Sequence, residues 1–288
     1  MRRVGRFAAL QHRFAVEVDS RGEGIVEDLR HVLAPLWQEG SGRLPTYRLG
    51  PVPGDNERWQ LNLDDERVGE RPSLGHAVAM LLWHVNYQAI QRSSRSHLLL
   101  HAGVVARNGQ AVILPASMES GKATLVTALV ERGWDYLSDE AALVTDDPLR
   151  VHAYPKPLSI DRGSHGLFPE VSARVRDLAG CAARQWHVPA TDLRAHSIVS
   201  AARPAAVVFP QHVPDQQPAW APLARSQAMV RAANCTFQWD LDAPARFQDL
   251  ARLLRGVEHC ATLQTGPLDE TTALMETMLG PSLCRASR

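Results

Sequence analysis

The stretch that decides the fold runs from His101 to Glu140, HAGVVARNGQAVILPASMESGKATLVTALVERGWDYLSDE. An apolar strand expected over 98–106 runs into Asn108-Gly109, a dipeptide suited to the type I′ hairpin turn because both central residues need positive φ. A second strand over 111–114 gives way to a loop of small residues, 116–120. Gly121-Lys122 then opens a helix whose Leu125, Val126, Leu129 and Val130 share one face. Gly133 suits the left-handed position that ends such a helix. A short strand over 134–137 delivers Asp139 and Glu140. Strand, small-residue loop, lysine, helix, then a strand ending in carboxylates is the layout of a phosphate-binding loop followed by metal-binding acids.

The nucleotide-binding positions read Ala116, Ser117, Met118, Glu119, Ser120, Gly121, Lys122, Ala123 and Thr124. The usual pattern has glycine where Ala116 stands, a mild change if the backbone there needs no positive φ. It has a magnesium-binding Ser or Thr where Ala123 stands. Thr124 comes one residue late, about 100° further round the helix. Glu119 lies inside the cradle. At ~5 Å from a phosphate charge and an effective dielectric of ~20 it would cost roughly 3 kcal/mol, and under ~1 if turned into water. The loop alone is a weak signal, and the architecture around it strengthens it.

A chain of 288 residues with zero formal net charge and 45% apolar residues fits an ordinary globular protein with room for one or two domains. No basic face points to nucleic acid. No apolar run approaches the ~20 residues of a membrane span, and the basic start, MRRVGRFAALQHRF, is too interrupted for a secretory signal. Cys181, Cys235, Cys260 and Cys284 have neither metal-ligand nor framework spacing, so they read as small buried hydrophobes in a reducing, cytoplasmic compartment. Lys122 and Lys156 are the two lysines of the sequence; the other long basic side chains are arginines. That one of two falls at the mouth of the expected helix supports a phosphate role for it.

Outward from this stretch, 7–18 has strand content, 22–37 reads as an amphipathic helix, and 47–49 and 59–63 alternate like paired strands. These define a small N-terminal α+β region, 1–72. The remainder, 73–288, opens with a helix over 73–94. After Glu140 come strands over 141–145 and 149–154, a rigid Pro155-Lys156-Pro157, a helix over 171–183 and a strand starting at Trp186. Then follow a buried strand over 205–210, a proline-rich connection over 211–222, helices over 226–234 and 246–256, an edge strand over 260–264, and a final helix over 268–279 with a frayed tail from 280.

LLLHAGVV, ARNGQAVILPA, SGK, ERGWDYLSDE, VHAYPKPLSI and AAVVFPQHVP together resemble the HPr kinase/phosphorylase superfamily, and within it the HprK-related kinase A branch. The likeness covers roughly 98–214. It implies an α/β fold, a P-loop kinase core of the HPr kinase and PEP carboxykinase type, with ATP and Mg2+ as cofactors. By position, Lys122 matches the phosphate lysine, Asp139 the acid that takes the acceptor hydroxyl's proton, Glu140 its neighbour at the metal, and His101 the histidine of the preceding strand. Lys156, with Arg162 as a further candidate, would clamp the transferred or acceptor group. The implied activity is transfer of the γ-phosphate to a hydroxyl of a peptide, protein or small molecule, in a protein that can form homo-oligomers. Ala123 and Glu119 motivate the alternative, an impaired pseudokinase serving as scaffold, peptide-binding partner or nucleotide sensor.

Overall fold

The computed structural model describes residues 1–117, 120–181, 184–213 and 216–283. In chain order the strands are β1 (Arg2–Ala9), β2 (His12–Val18), β3 (Thr46–Val52), β4 (Asp55–Leu63), β5 (Glu66–Arg71), β6 (Leu98–Arg107), β7 (Gln110–Pro115), β8 (Asp135–Ser138), β9 (Ala141–Asp146) and β10 (Leu149–His152). They continue as β11 (Leu158–Asp161), β12 (Gln185–Val188), β13 (Ala201–His212), β14 (Ala219–Pro222) and β15 (His259–Thr265). The α-helices are α1 (Val26–Val32), α2 (Leu74–Ser93), α3 (Lys122–Glu131), α4 (Pro169–Ser172), α5 (Ala190–Leu193), α6 (Arg225–Asn234), α7 (Ala243–Gly256) and α8 (Leu268–Leu283).

The chain forms two compact units, Met1–Arg92 with Lys156–Asp192, and Ser93–Pro155 with Leu193–Arg288. This differs from the expected boundary after residue 72. Residues 73–92 and 156–192 join the N-terminal residues because their contacts run there: the Tyr47 hydroxyl reaches His84 on α2 at 2.9 Å, and His31 Nε2 on α1 lies 2.7 Å from Asp192 Oδ2.

The first unit is built on a mixed sheet in the order β1-β2-β3-β4-β5. Strands β2 and β3 run parallel, joined by a crossover that carries α1. The expected strand over 7–18 is two strands, turned at Leu10, which takes φ 51 without being glycine. The expected helix over 22–37 breaks into a 3-10 turn (Ser20–Ile25), α1, and a second 3-10 turn (Ala34–Leu36) with proline inside it. The expected helix over 171–183 reduces to α4, and β5 went unforeseen.

Inside this unit the Tyr47 hydroxyl lies between His12 Nε2 at 3.1 Å and His84 Nδ1 at 2.9 Å. One hydroxyl proton serves one of them, so the other imidazole must donate. His12 Nδ1 is buried with no hydrogen-bond partner. A proton on Nε2 leaves a bare lone pair there rather than an unpaired N–H, which assigns His12 as donor to Tyr47 and Tyr47 as donor to His84. Burial first, with Arg92 and His84 adding to it, lowers the His12 pKa to about 4.

The second unit is built on an eight-stranded sheet, β10-β9-β6-β7-β13-β15-β14, with β8 also paired to β6. Because β10 pairs with both β9 and β13, the strands β10, β9, β6, β7 and β13 close into a ring. Strand β15 lies between β13 and β14 and is not the edge strand expected, since the connection over 211–222 contains β14. The tail expected to fray from 280 is helical to Leu283, and residues 284–288 lie outside the described set.

The β6–β7 hairpin turns through Asn108 and Gly109 at φ 53 and 73, as that dipeptide implies. Strand β6 is apolar on both faces. Leu98, Leu100, Ala102, Val104 and Ala106 pack in one cluster with Ala228 and Ala232 of α6 and with Leu250, Leu253 and Leu254 of α7. On the opposite face α3 comes so close at Gly103 that a Cβ there would lie 2.7 Å from Val126 Cγ2.

Two outcomes follow. Gly103→Ala should destabilise by ~1–3 kcal/mol through overpacking, and adding Val126→Ala should recover most of it in urea unfolding. Below pH 6.5 the unfolded chain protonates His12 while the folded chain refuses the proton until about pH 4. That contribution is present above pH 6.5 and lost as pH falls towards 4, by about 2 kcal/mol between pH 7 and pH 5. His12→Gln should flatten the fall in Tm across that range, and an unchanged slope would contradict the assignment.

Candidate functional site

Strand β6 organises the candidate site. Over residues 98–101 it pairs with β9, and over 104–106 with β8. Asp139 and Glu140 form the kink where the chain leaves one of these strands for the other. Ser138 Oγ holds that kink by accepting from Glu140 N at 3.1 Å and Ala141 N at 3.0 Å. The Glu140 carbonyl accepts from Ala102 N on β6 at 3.1 Å. The acids therefore stand beside the middle of β6 because two short strands share one long neighbour.

His101 occupies the same point on β6. Its Nε2 lies 3.8 Å from Glu140 Oε1, and its carbonyl accepts from Ala116 N at 3.3 Å. Its own N–H donates to the Cys235 carbonyl at 2.6 Å, and its ring sits 5.5 Å from that of Phe237. The start of the loop, the histidine and the second acid are thus linked by direct contacts.

Helix α3 starts at Lys122, with Gly121 at φ 79 as its N-cap residue and no side-chain cap. Among the described residues a Cβ at Gly121 would meet nothing within 4 Å. Uncapped N–H groups, the positive end of the helix and an adjacent ammonium favour an anion at this point. Lys122 is buried, and its Nζ donates to Ala116 O at 3.0 Å, Ser117 O at 2.6 Å and Ser120 Oγ at 3.4 Å. Burial lowers its pKa, while the charges of Glu140, Cys235 and Asp139 pull the other way. The lysine is thus close enough to both acids to share their field.

Asp139 is almost fully buried, and its Oδ1 accepts from the Tyr136 hydroxyl at 3.0 Å. Ala123 and Thr124 lie in the first turn of α3, and the Thr127 hydroxyl bonds back to Ala123 O at 2.7 Å. Met118 and Glu119 lie outside the described residues.

The second unit thus brings together Lys122, His101, Asp139, Glu140 and the described part of the loop. Lys156 belongs to the first unit. It is buried, its Nζ donating to Ser159 Oγ at 2.9 Å and Pro157 O at 3.2 Å, so it is no exposed loop lysine; Arg162 is exposed. Among the described cysteines Cys181 is buried, whereas Cys235 and Cys260 are half-buried, and burial pushes all three thiols up. A cavity of about 580 Å³ in the first unit, lined by His76, Cys181 and His187 among others, holds none of the expected site residues.

Sequence reading missed Tyr136, Ser138, Cys235 and Phe237. Ser138 was within reach, because a hydroxyl just before a kink commonly accepts from the next backbone N–H groups. Cys235 and Phe237 follow α6, far along the chain, and carry no motif.

The residues present fit a phosphate anion at the helix mouth. For a divalent cation they supply the two carboxylates of the kink but no hydroxyl at residue 123, and among the described residues no group of three His, Cys, Asp or Glu is arranged to hold a metal. Water can complete the shell of Mg2+ bound by one or two carboxylates.

No family model matches the sequence, and no curated protein matches it. Among solved structures the chain is similar to the Hpr(Ser) kinase/phosphatase from Coxiella burnetii, at 11% identity and a TM-score of 0.36, over 64% of this chain and 88% of that one. A likeness of that size carries no functional argument. The fold is mixed α/β, and no helix among the described residues is long and apolar enough to cross a membrane.

Proposed function

We propose that the second unit is a P-loop kinase core of the HPr kinase type, which binds ATP and passes its γ-phosphate to a hydroxyl of a peptide, protein or small molecule in the cytoplasm. The observation that carries this reading is Lys122, a buried ammonium at an uncapped helix mouth within the field of Asp139 and Glu140. Phosphoryl transfer needs a cation on the phosphates, in-line positioning and an acceptor for the hydroxyl proton. Lys122 and the α3 N–H groups would hold the phosphates, and Asp139 would take the proton as the acceptor oxygen bonds to phosphorus and ADP leaves. Mg2+ held by Glu140 and Asp139 would neutralise charge between the β- and γ-phosphates. His101 would orient Glu140.

Lys156 and Arg162 enter this reading only as candidates for the acceptor side. A second reading, a nucleotide sensor that binds without transfer, is favoured by Ala123, which removes one inner-shell oxygen from the metal.

Mg-ATP at a hundredfold excess over Kd should stabilise the protein by ~2.7 kcal/mol, a shift of several degrees in Tm. Lys122→Met should weaken binding about 10- to 100-fold, as expected for a lost charge-assisted hydrogen bond. Asp139→Asn should keep the thermal shift and lower transfer from labelled ATP by at least about 100-fold. No shift with the wild-type chain would remove both readings. A shift without measurable turnover would select the sensor.

A further inference from the structure

Tyr136 stands at a point of the site that the kinase reading leaves unexplained. Its hydroxyl donates to Asp139 Oδ1 at 3.0 Å, and its side chain is fully buried. The backbone beneath it is fixed from both sides. It pairs with Val105 of β6, and its N–H donates to Ser197 O at 2.6 Å. Arg194 fastens the start of the same strand through Trp134 O and Asp135 Oδ1, both at 2.9 Å. A phenol held this firmly keeps its oxygen in one place.

A carboxylate on a single rotatable bond sweeps an arc. Tying Oδ1 to a fixed donor sets the plane of the group and therefore the direction in which Oδ2 points. Burial first, then the Asp139 charge and the bond to it, push the phenol's own pKa well up. A phenylalanine here would fill nearly the same space, so packing alone does not call for the hydroxyl.

We infer that Tyr136 is a positioning residue for the proton-accepting carboxylate, aiming Asp139 at the acceptor hydroxyl while touching neither substrate itself. This rests on the kinase reading of the site and adds to it the group that sets the base.

The test compares wild type, Tyr136→Phe, Asp139→Asn and the double variant, with Mg-ATP and water as the acceptor. Removal of the hydroxyl should lower kcat about 10- to 100-fold and leave KM for ATP within about twofold. In the Asp139→Asn background the same substitution should change kcat by less than about twofold, because its target is gone. Should Tyr136→Phe melt too low to assay, Tyr136→Met is read in the same way.

A Tyr136→Phe protein with unchanged kcat overturns the positioning role and leaves the kinase reading standing. So does an equal loss in both backgrounds, which marks a purely structural side chain. A wild-type chain that binds Mg-ATP without turning it over overturns both.

Discussion

A buried ammonium is costly, and Lys122 sits at the point where the second unit bears that cost. Desolvation disfavours its charged form by more than the neighbouring charges restore, which is why its pKa falls. Three oxygens of its own loop receive its protons. The loop itself thus serves as the ammonium's ligand. An incoming phosphate would replace those carbonyls with charged oxygens, so the cation that burdens the folded chain is also the one placed to gain most from an anion.

The acids opposite it owe their position to strand bookkeeping along β6. One ten-residue strand serves two shorter partners in succession, and the chain between them has to turn through Asp139 and Glu140. Ser138 closes that turn, His101 meets Glu140, and Tyr136 meets Asp139. On the face of the same strand that His101 shares, Gly103 lets α3 approach and so sets the height of the helix mouth against the kink. The helix mouth and the acid kink are therefore both held on one strand, the helix against Gly103 and the kink at Ala102.

Much of this was legible because the signals were local. Asn108-Gly109 carries its turn in its own backbone preferences, Gly133 takes φ 92 after the helix, and the apolar periodicity of 122–131 has one interpretation. Elsewhere tertiary contacts overrode local preference. Leu10 turns a hairpin with a left-handed backbone that its sequence does not advertise. The region 171–183 has the composition of a helix, but among its described residues Val171 and Ser172, the end of α4, are the α-helical ones. Strand β15 reads like an edge because its partner β14 is short and proline-flanked, yet it lies between two strands. Tyr136 escaped notice for another reason. Its apolar body fits a buried strand, and the use made of its hydroxyl is visible only once Asp139 has been folded back to within 3.0 Å.

In the proposed complex a polyphosphate would lie between Lys122 and the Asp139-Glu140 kink. The most direct measurement is a crystal structure of the full chain with Mg2+ and a non-hydrolysable ATP analogue. The expected result is Lys122 Nζ released from Ala116 O and Ser117 O and bonded to the β- and γ-phosphates, with the terminal phosphate facing Asp139. An analogue bound elsewhere, with Lys122 still held by its own loop, would contradict the central claim.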